Sequence, residues 1–207
     1  QGYIEPHTAT AWWLPNDRLN VWSSSQGHFP VRDRTAAVVG IPFSKVKVTP
    51  MEIGGGFGGK TQIYLEPVAA VLSRKTGHPV KVTMTRADVL EASGPAPGGR
   101  TKVKMGVTKE GKIIAAEAVL MFEAGAYPGS PVAAAAQCMF TPYDIEHVFI
   151  DTYDVVNNKP KTTAYRAPGA PLGAHAVEIV VDELSEKLEI DPLKLRILNS
   201  AKKGTRR

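Results

Sequence analysis

The sequence predicts an α/β protein of the α+β type, built from two-layer units in which helices pack on mixed sheets. Residues 2–13 and 19–23 predict two strands joined by a turn at residues 15–17, which makes a hairpin. Residues 173–188 carry apolar side chains at helical spacing. Strand and helix signals do not alternate regularly, so a doubly wound parallel sheet is not expected.

The remaining elements follow from local signals. The first half of the chain predicts a helix at 30–41, a strand at 46–53, a helix at 67–76, a strand at 79–85 and a capping box at 85–88. Pro67 near the start of its helix and Gly77 just after it match the usual preferences at helix ends.

The second half predicts a longer hairpin and three helices. The expected elements are strands at 101–108, 112–123 and 147–155, helices at 132–140 and 173–188, and a last helix capped by Asp191. We expect residues 1–207 to form one binding region, with subdomains at about 1–100 and 101–207.

The composition, 43% hydrophobic and 22% charged, is that of a globular protein. The single cysteine, Cys138, excludes an internal disulfide and a self-contained iron–sulfur cluster, and its apolar surroundings predict a buried, inert thiol. Much of the net charge of +5 comes from Lys202, Lys203, Arg206 and Arg207 at the C-terminus. No aromatic residues interleave with these charges, so we expect no nucleic-acid site.

The sequence contains no apolar run of about 18 residues and no export signal, so we expect a cytoplasmic protein without a membrane span. It does not begin with Met, and we expect it to be a piece of a longer chain.

The glycine run at residues 54–61, GGGFGGKT, carries the most functional information. It fits the pattern of a nucleotide-binding P-loop, so a P-loop hydrolase is one alternative. In a P-loop the helix begins at the Gly-Lys pair, but a helix from Lys60 would contain Pro67 in its interior. We therefore expect the helix to begin near Glu66. A cofactor-free structural module is the other alternative.

Five glycines in six positions are costly to order, because glycine loses the most backbone entropy. Such a run suits a backbone that approaches a flat, polar ligand and directs N–H groups at it.

Four stretches, in this order, resemble the molybdenum hydroxylases, the family of xanthine dehydrogenase and aldehyde oxidase. They are residues 2–11 (GYIEPHTATA), 24–26 (SSQ), 54–60 (GGGFGGK) and 165–171 (YRAPGAP). The resemblance implies a fold like that of a molybdopterin-binding domain. It implies molybdopterin, which in this family is often the cytosine dinucleotide form, and iron–sulfur clusters and FAD on partner domains or subunits. Such enzymes hydroxylate an electron-poor carbon with oxygen from water.

The resemblance also implies roles for individual residues. Gln26 would donate a hydrogen bond to an oxygen ligand of molybdenum. Phe57 and Gly58 would approach the cofactor through backbone N–H groups, as part of a loop with Gly55 and Gly56. Arg166 would lie beside the metal centre, with its backbone N–H near a metal-bound oxygen.

Other residues depart from the family pattern. Purine-oxidising members carry glutamate where this chain has Thr61 and arginine where it has Ala134, so a purine substrate is not expected. Leu172 stands where the family often has glutamine. Glu5 and His7 are interpreted as structural, and no protein side chain is expected to ligate the metal.

The resemblance places the family's catalytic base, a glutamate, near the end of the full subunit. No segment of this chain resembles that region, so we expect no catalytic residue here and no activity from the chain alone. The expected partners are the other half of the molybdenum subunit, the iron–sulfur and flavin components, and a small-molecule substrate.

Overall fold

The computed structural model describes residues 1–205, which form two compact units. The first contains two separate segments of the chain, Gln1–Ala96 and Thr163–Arg166. The second contains Pro97–Thr162 and the residues from Ala167 onward. The last two members of the terminal basic cluster, Arg206 and Arg207, lie outside the described residues.

The first unit contains a four-stranded mixed sheet. Its strands are β1 (Thr8–Trp13), β2 (Leu19–Ser23), β3 (Val46–Pro50) and β4 (Val80–Thr83), in the order β3-β2-β1-β4. β1 pairs antiparallel with β2 and β4, whereas β2 and β3 are parallel. The predicted hairpin and the predicted mixed sheet are both confirmed.

Helices cover one face of this sheet. They are α1 (His28–Val39) and α2 (Glu66–Thr76), while α3 (Arg86–Ala92) follows β4. Every second residue of β1 and β2 points into the core, as expected for a half-buried sheet. The buried apolar residues are Ala11, Trp13, Leu19, Val21, Ala36, Val46, Ala69 and Ala70.

Local sequence signals predicted the starts of two helices correctly. Glu66 begins α2, Pro67 lies in its first turn, and Gly77 ends it in the left-handed conformation. The capping box is also present, because Asp88 N–H donates to Thr85 Oγ1 at 3.1 Å and the Asp88 carboxylate accepts from Thr85 N–H at 2.8 Å.

The second unit contains a three-stranded mixed sheet of β5 (Gly99–Val107), β6 (Ile113–Gly125) and β7 (His147–Val156). The first two strands form the predicted hairpin, and β6 and β7 are parallel. Its helices are α4 (Val132–Cys138), α5 (Ala170–Leu188) and α6 (Pro192–Asn199). The largest buried side chains of this core are Ile113, Leu120, Phe122, Met139, Val177, Val181 and Leu195.

Three sequence predictions are corrected by the structure. The first strand begins at Thr8, not at residue 2, because the preceding residues bond to the glycine run: Glu5 N–H donates to the Gly54 carbonyl at 3.1 Å. The strand that begins at Val46 ends at Pro50, which has no N–H to continue the ladder. Cys138 is only partly buried, because the buried side of α4 is formed by Val132 and Ala135.

Candidate functional site

The glycine run forms an irregular loop, residues 54–60, which we call the glycine loop. Gly55, Phe57 and Gly58 have φ values of +94°, +50° and +98°. A single 3-10 turn, Gly59–Thr61, follows, and Lys60 within it has a non-helical φ of −97° and ψ of 23°. A left-handed Phe is unusual, and such conformations often occur at functional sites.

Close approach of other protein segments explains several of the glycines. A Cβ on Gly54 would lie 2.6 Å from the Glu5 Cβ, and one on Gly58 would lie 2.5 Å from the Ala164 carbonyl oxygen. Both distances are shorter than real Cβ contacts. The sequence interpretation assigned the glycines to a ligand, but neighbouring chain segments already account for these two.

Gln26 lies against this loop with its side-chain amide held in one orientation. Its Oε1 accepts hydrogen bonds from Gly58 N–H at 2.8 Å and from Lys60 N–H at 3.3 Å. Its backbone N–H donates to the Lys60 carbonyl at 2.9 Å. Because both loop N–H groups donate to Oε1, the Nε2 amino group points away from them. No residue within 1–205 accepts a hydrogen bond from Nε2. Gln26 is exposed, so this donor is available to a ligand.

Arg166 joins the same site through its backbone. Its N–H donates to the Phe57 carbonyl at 2.8 Å, and its φ is +28°. The Phe57 side chain is 48% exposed. The Arg166 side chain is also exposed, and it forms no ion pair within the described part of the chain. The structure therefore brings together Gln26, the glycine loop and Arg166, which are far apart in sequence.

Two of the backbone contacts implied by the family resemblance are not available in this conformation. Gly58 N–H is bonded to Gln26, and Arg166 N–H is bonded to Phe57. The amides of Gly55, Gly56 and Phe57 instead donate to no acceptor among the described residues. Gly56 is buried, and a buried N–H without an acceptor is rare in folded proteins.

Beneath the loop lies an ion pair that the sequence interpretation did not identify. The Lys60 side chain is fully buried, and its Nζ lies 2.6 Å from Glu5 Oε2. The same Glu5 oxygen accepts the Gly54 N–H at 2.7 Å. Burial acts to raise the pKa of Glu5, but the bonds from Lys60 and Gly54 outweigh it, so this pKa is lowered. The Lys60 Nζ also lies 5.0 Å from the centre of the Tyr3 ring.

His7 occupies the same buried region. The Tyr3 hydroxyl and His7 Nε2 share a hydrogen bond, and the Tyr64 ring packs on the imidazole with 4.7 Å between centroids. Burial, together with the nearby Lys60 charge, lowers the pKa of His7 from 6.5 to about 4. The imidazole is therefore neutral at pH 7, and its contacts agree with the structural role expected for it.

The geometry excludes a P-loop. The helix after the run begins at Glu66, as predicted, and the turn at Gly59–Thr61 is a single 3-10 turn without helical geometry at Lys60. A P-loop lysine must reach the phosphates of its nucleotide. Lys60 instead points into the protein and pairs with Glu5.

Other sites considered from the sequence are placed as follows. Ala134 and Leu172 are exposed residues of α4 and α5 in the second unit. No group of three or more metal-ligating side chains occurs within residues 1–205. None of the helices in that range is both long and apolar enough to span a membrane.

Comparison with known proteins identifies the family to which the sequence is similar. The family described as "Molybdopterin cofactor-binding domain" matches residues 1–200. The large molybdopterin subunit of nicotinate dehydrogenase from Eubacterium barkeri is 30% identical over 208 residues, which cover 99% of this chain and 49% of that protein. The aldehyde oxidoreductase molybdenum-binding subunit PaoC from Escherichia coli K12 is 33% identical, over 95% of this chain and 26% of that subunit.

The structural comparison gives the same result. Aldehyde oxidoreductase from Desulfovibrio gigas superposes with a TM-score of 0.93 at 27% identity, over 100% of this chain and 23% of that protein. The chain thus spans between about a quarter and a half of the length of the relatives that it matches.

Proposed function

We propose that this chain, which belongs to the molybdopterin cofactor-binding domain family, forms one wall of the cofactor site of a molybdenum hydroxylase. The proposed enzyme hydroxylates an aldehyde or an electron-poor heterocyclic carbon with oxygen derived from water. The observation that carries the proposal is the fixed amide of Gln26, whose Nε2 is left free beside the glycine loop.

The residues present fit molybdopterin, which is rich in hydrogen-bond acceptors. The N–H groups of Gly55, Gly56 and Phe57 and the Nε2 of Gln26 are donors without protein acceptors among the described residues. These groups would hold the cofactor without adding charge. The bound cofactor would supply the two-electron redox chemistry. The exposed face of Phe57 would contact the substrate and limit the entry of water.

The remaining parts of the enzyme lie on other segments or partners. The catalytic base, a glutamate in the family pattern, would come from the other half of the molybdenum subunit. Iron–sulfur clusters and FAD on partner domains or subunits would carry the electrons away. The relatives extend well beyond the part matched by this chain, which leaves room for these components.

We infer that the substrate is not a purine. A glutamate after the glycine-run lysine would offer a carboxylate to a purine, whereas Thr61 Oγ1 donates to the Gly58 carbonyl at 2.8 Å. Ala134 likewise offers no charged group. The names of the relatives do not decide this point, because they include xanthine dehydrogenase subunits as well as nicotinate dehydrogenase and an aldehyde oxidoreductase. The inference therefore rests on Thr61 and Ala134.

Gln26→Glu in the complete enzyme tests the proposed role of the amide. Glutamate keeps an oxygen for the N–H groups of Gly58 and Lys60 but removes the Nε2 donor. We expect the loop to stay folded while turnover falls about 10- to 100-fold, the usual effect of losing a contact that tunes a metal site.

Gln137→Glu is the matched control, because Gln137 is an exposed glutamine of α4 and receives the same charge. Turnover per folded molecule that is equal in Gln26→Glu and wild type would show that the amide has no part in the site.

A further inference from the structure

The glycine loop is closed at both ends by one ion pair. Gly54, its first residue, donates its N–H to Glu5 Oε2 at 2.7 Å, and its carbonyl accepts from Glu5 N–H at 3.1 Å. Lys60, its last residue, places its Nζ 2.6 Å from the same Glu5 oxygen. Glu5 therefore fixes the distance between the ends of the loop.

Lys60 also holds the segment that carries the free amide. Its carbonyl accepts hydrogen bonds from Gln26 N–H at 2.9 Å and from Ser25 Oγ at 3.0 Å, and its N–H donates to Gln26 Oε1. The side chain of one residue thus anchors the loop to Glu5, while its main chain orients Gln26.

Burial gives this arrangement its rigidity. The Lys60 side chain is completely buried, and a buried ammonium is costly unless a partner compensates it. Separating Lys60 from Glu5 would leave a buried charge without a partner, so opening the ion pair requires a large free energy. The middle of the loop lacks this support, because Gly55, Gly56 and Phe57 donate to no acceptor within residues 1–205.

We propose that Glu5 and Lys60 are positioning residues that clasp the glycine loop in the conformation that presents its free donors and the Gln26 amide to the cofactor. The chemical identity of the cofactor rests on the proposed function, but the clasp itself rests on the contacts given above. The pair acts through the loop and does not touch the reacting atoms.

The test uses the complete molybdenum subunit with both charges removed, as Glu5→Gln with Lys60→Met. This double variant leaves no unpaired buried charge, so a large loss of overall stability is not expected. We expect the hydrogen-bonded amides of this loop to exchange with deuterium at least about ten-fold faster than in wild type, because opening the loop no longer breaks an ion pair. These are the amides of Gly54, Gly58, Gly59 and Lys60. We also expect the purified variant to retain less pterin per subunit.

The control is Glu123→Gln with Lys159→Met, a pair whose lysine is exposed and whose Nζ lies 2.6 Å from Glu123 Oε1. It should change neither the exchange of the hydrogen-bonded loop amides nor the pterin content. If the double variant of the clasp does not fold, Lys60→Met alone is measured in the same way, since the Glu5 carboxylate that remains is partly exposed and keeps its bond from Gly54 N–H.

Unchanged exchange at the hydrogen-bonded loop amides, or an increase shared equally by all parts of the chain, would overturn the proposal, because neither is the effect of a local clasp. Wild-type subunit without pterin would contradict the proposed function instead. The exchange measurement would still decide whether the clasp exists.

Discussion

A Cβ on Gly56 would lie 2.5 Å from Gln26 Oε1 and 2.7 Å from its Cδ. The position of the Gln26 amide therefore depends on the absence of a side chain at a residue thirty positions away. Gly56 itself needs no positive φ, so this requirement is purely steric.

Gly56→Ala should move the Gln26 side chain and break its bonds to the loop. We expect the free energy of unfolding to fall by about 1–3 kcal/mol, the usual cost of overpacking a buried position. Urea denaturation of the purified protein measures this change. Gly2→Ala is the control, because a Cβ there meets no atom within 4 Å, and it should leave the stability unchanged.

His7 gives the protein a specific pH dependence. Its pKa falls from 6.5 to about 4 on folding, so between these values the unfolded chain binds a proton that the folded chain excludes. The neutral imidazole therefore contributes fully to the free energy of unfolding above about pH 6.5, and this contribution is lost as the pH falls towards 4. The lowered pKa of Glu5 acts in the same direction, but only below its ordinary value of 4.5.

We therefore expect the free energy of unfolding to decrease between pH 6.5 and pH 4.5, and His7→Gln to make this decrease shallower. Denaturation curves recorded across this range check the prediction. Equal slopes in wild type and His7→Gln would contradict the assignment.

Among the elements, those with local signals followed from the sequence. The turn at residues 15–17, the capping box at Thr85 and the hairpin of β5 and β6 each depend on residues close together in the chain. The family motifs also indicated the segments that meet at the glycine loop.

The clasp did not follow from the sequence, because its bonds join residues about fifty positions apart. Glu5 and Lys60 carry no local signal of pairing, and a lysine in a glycine run is ordinarily expected in solvent or on a ligand. The first strand was extended too far for the same reason, since its first residues bond to the glycine loop and not to a neighbouring strand.

The N-terminal cap of the last helix, α6, can be tested by mutation. Asp191 caps α6 through a bond from Lys194 N–H to its Oδ1 at 2.9 Å. We expect Asp191→Ala to lower the free energy of unfolding by about 1 kcal/mol, because the cap oxygen is lost. Asp191→Asn keeps an acceptor and should cost much less. If Asp191→Ala had the same free energy of unfolding as the wild type, the cap would not contribute to stability.

For the whole molecule, the decisive fact is that the chain spans only part of its relatives. In the proposed function it supplies donors for a cofactor, but we assign no catalytic base within residues 1–205. The two units are each compact, and the residues of the candidate site all belong to the first of them.

We therefore expect the isolated chain to have no hydroxylase activity with aldehydes or heterocycles and to bind molybdopterin weakly or not at all. Dye-coupled activity assays and pterin fluorescence after gel filtration measure both properties. Joining the chain to the rest of its molybdenum subunit should restore them. Turnover by the isolated chain would refute the view that it forms only one wall of the site.

The most direct test of the central claim is the molybdenum and pterin content of the complete subunit, purified with its partners. Elemental analysis and pterin oxidation products should give close to one molybdenum and one pterin per wild-type subunit. Gly56→Ala should reduce both, and Gly2→Ala should not. A pure, folded wild-type subunit that contains neither molybdenum nor pterin would contradict the claim that this chain helps to form a molybdopterin site.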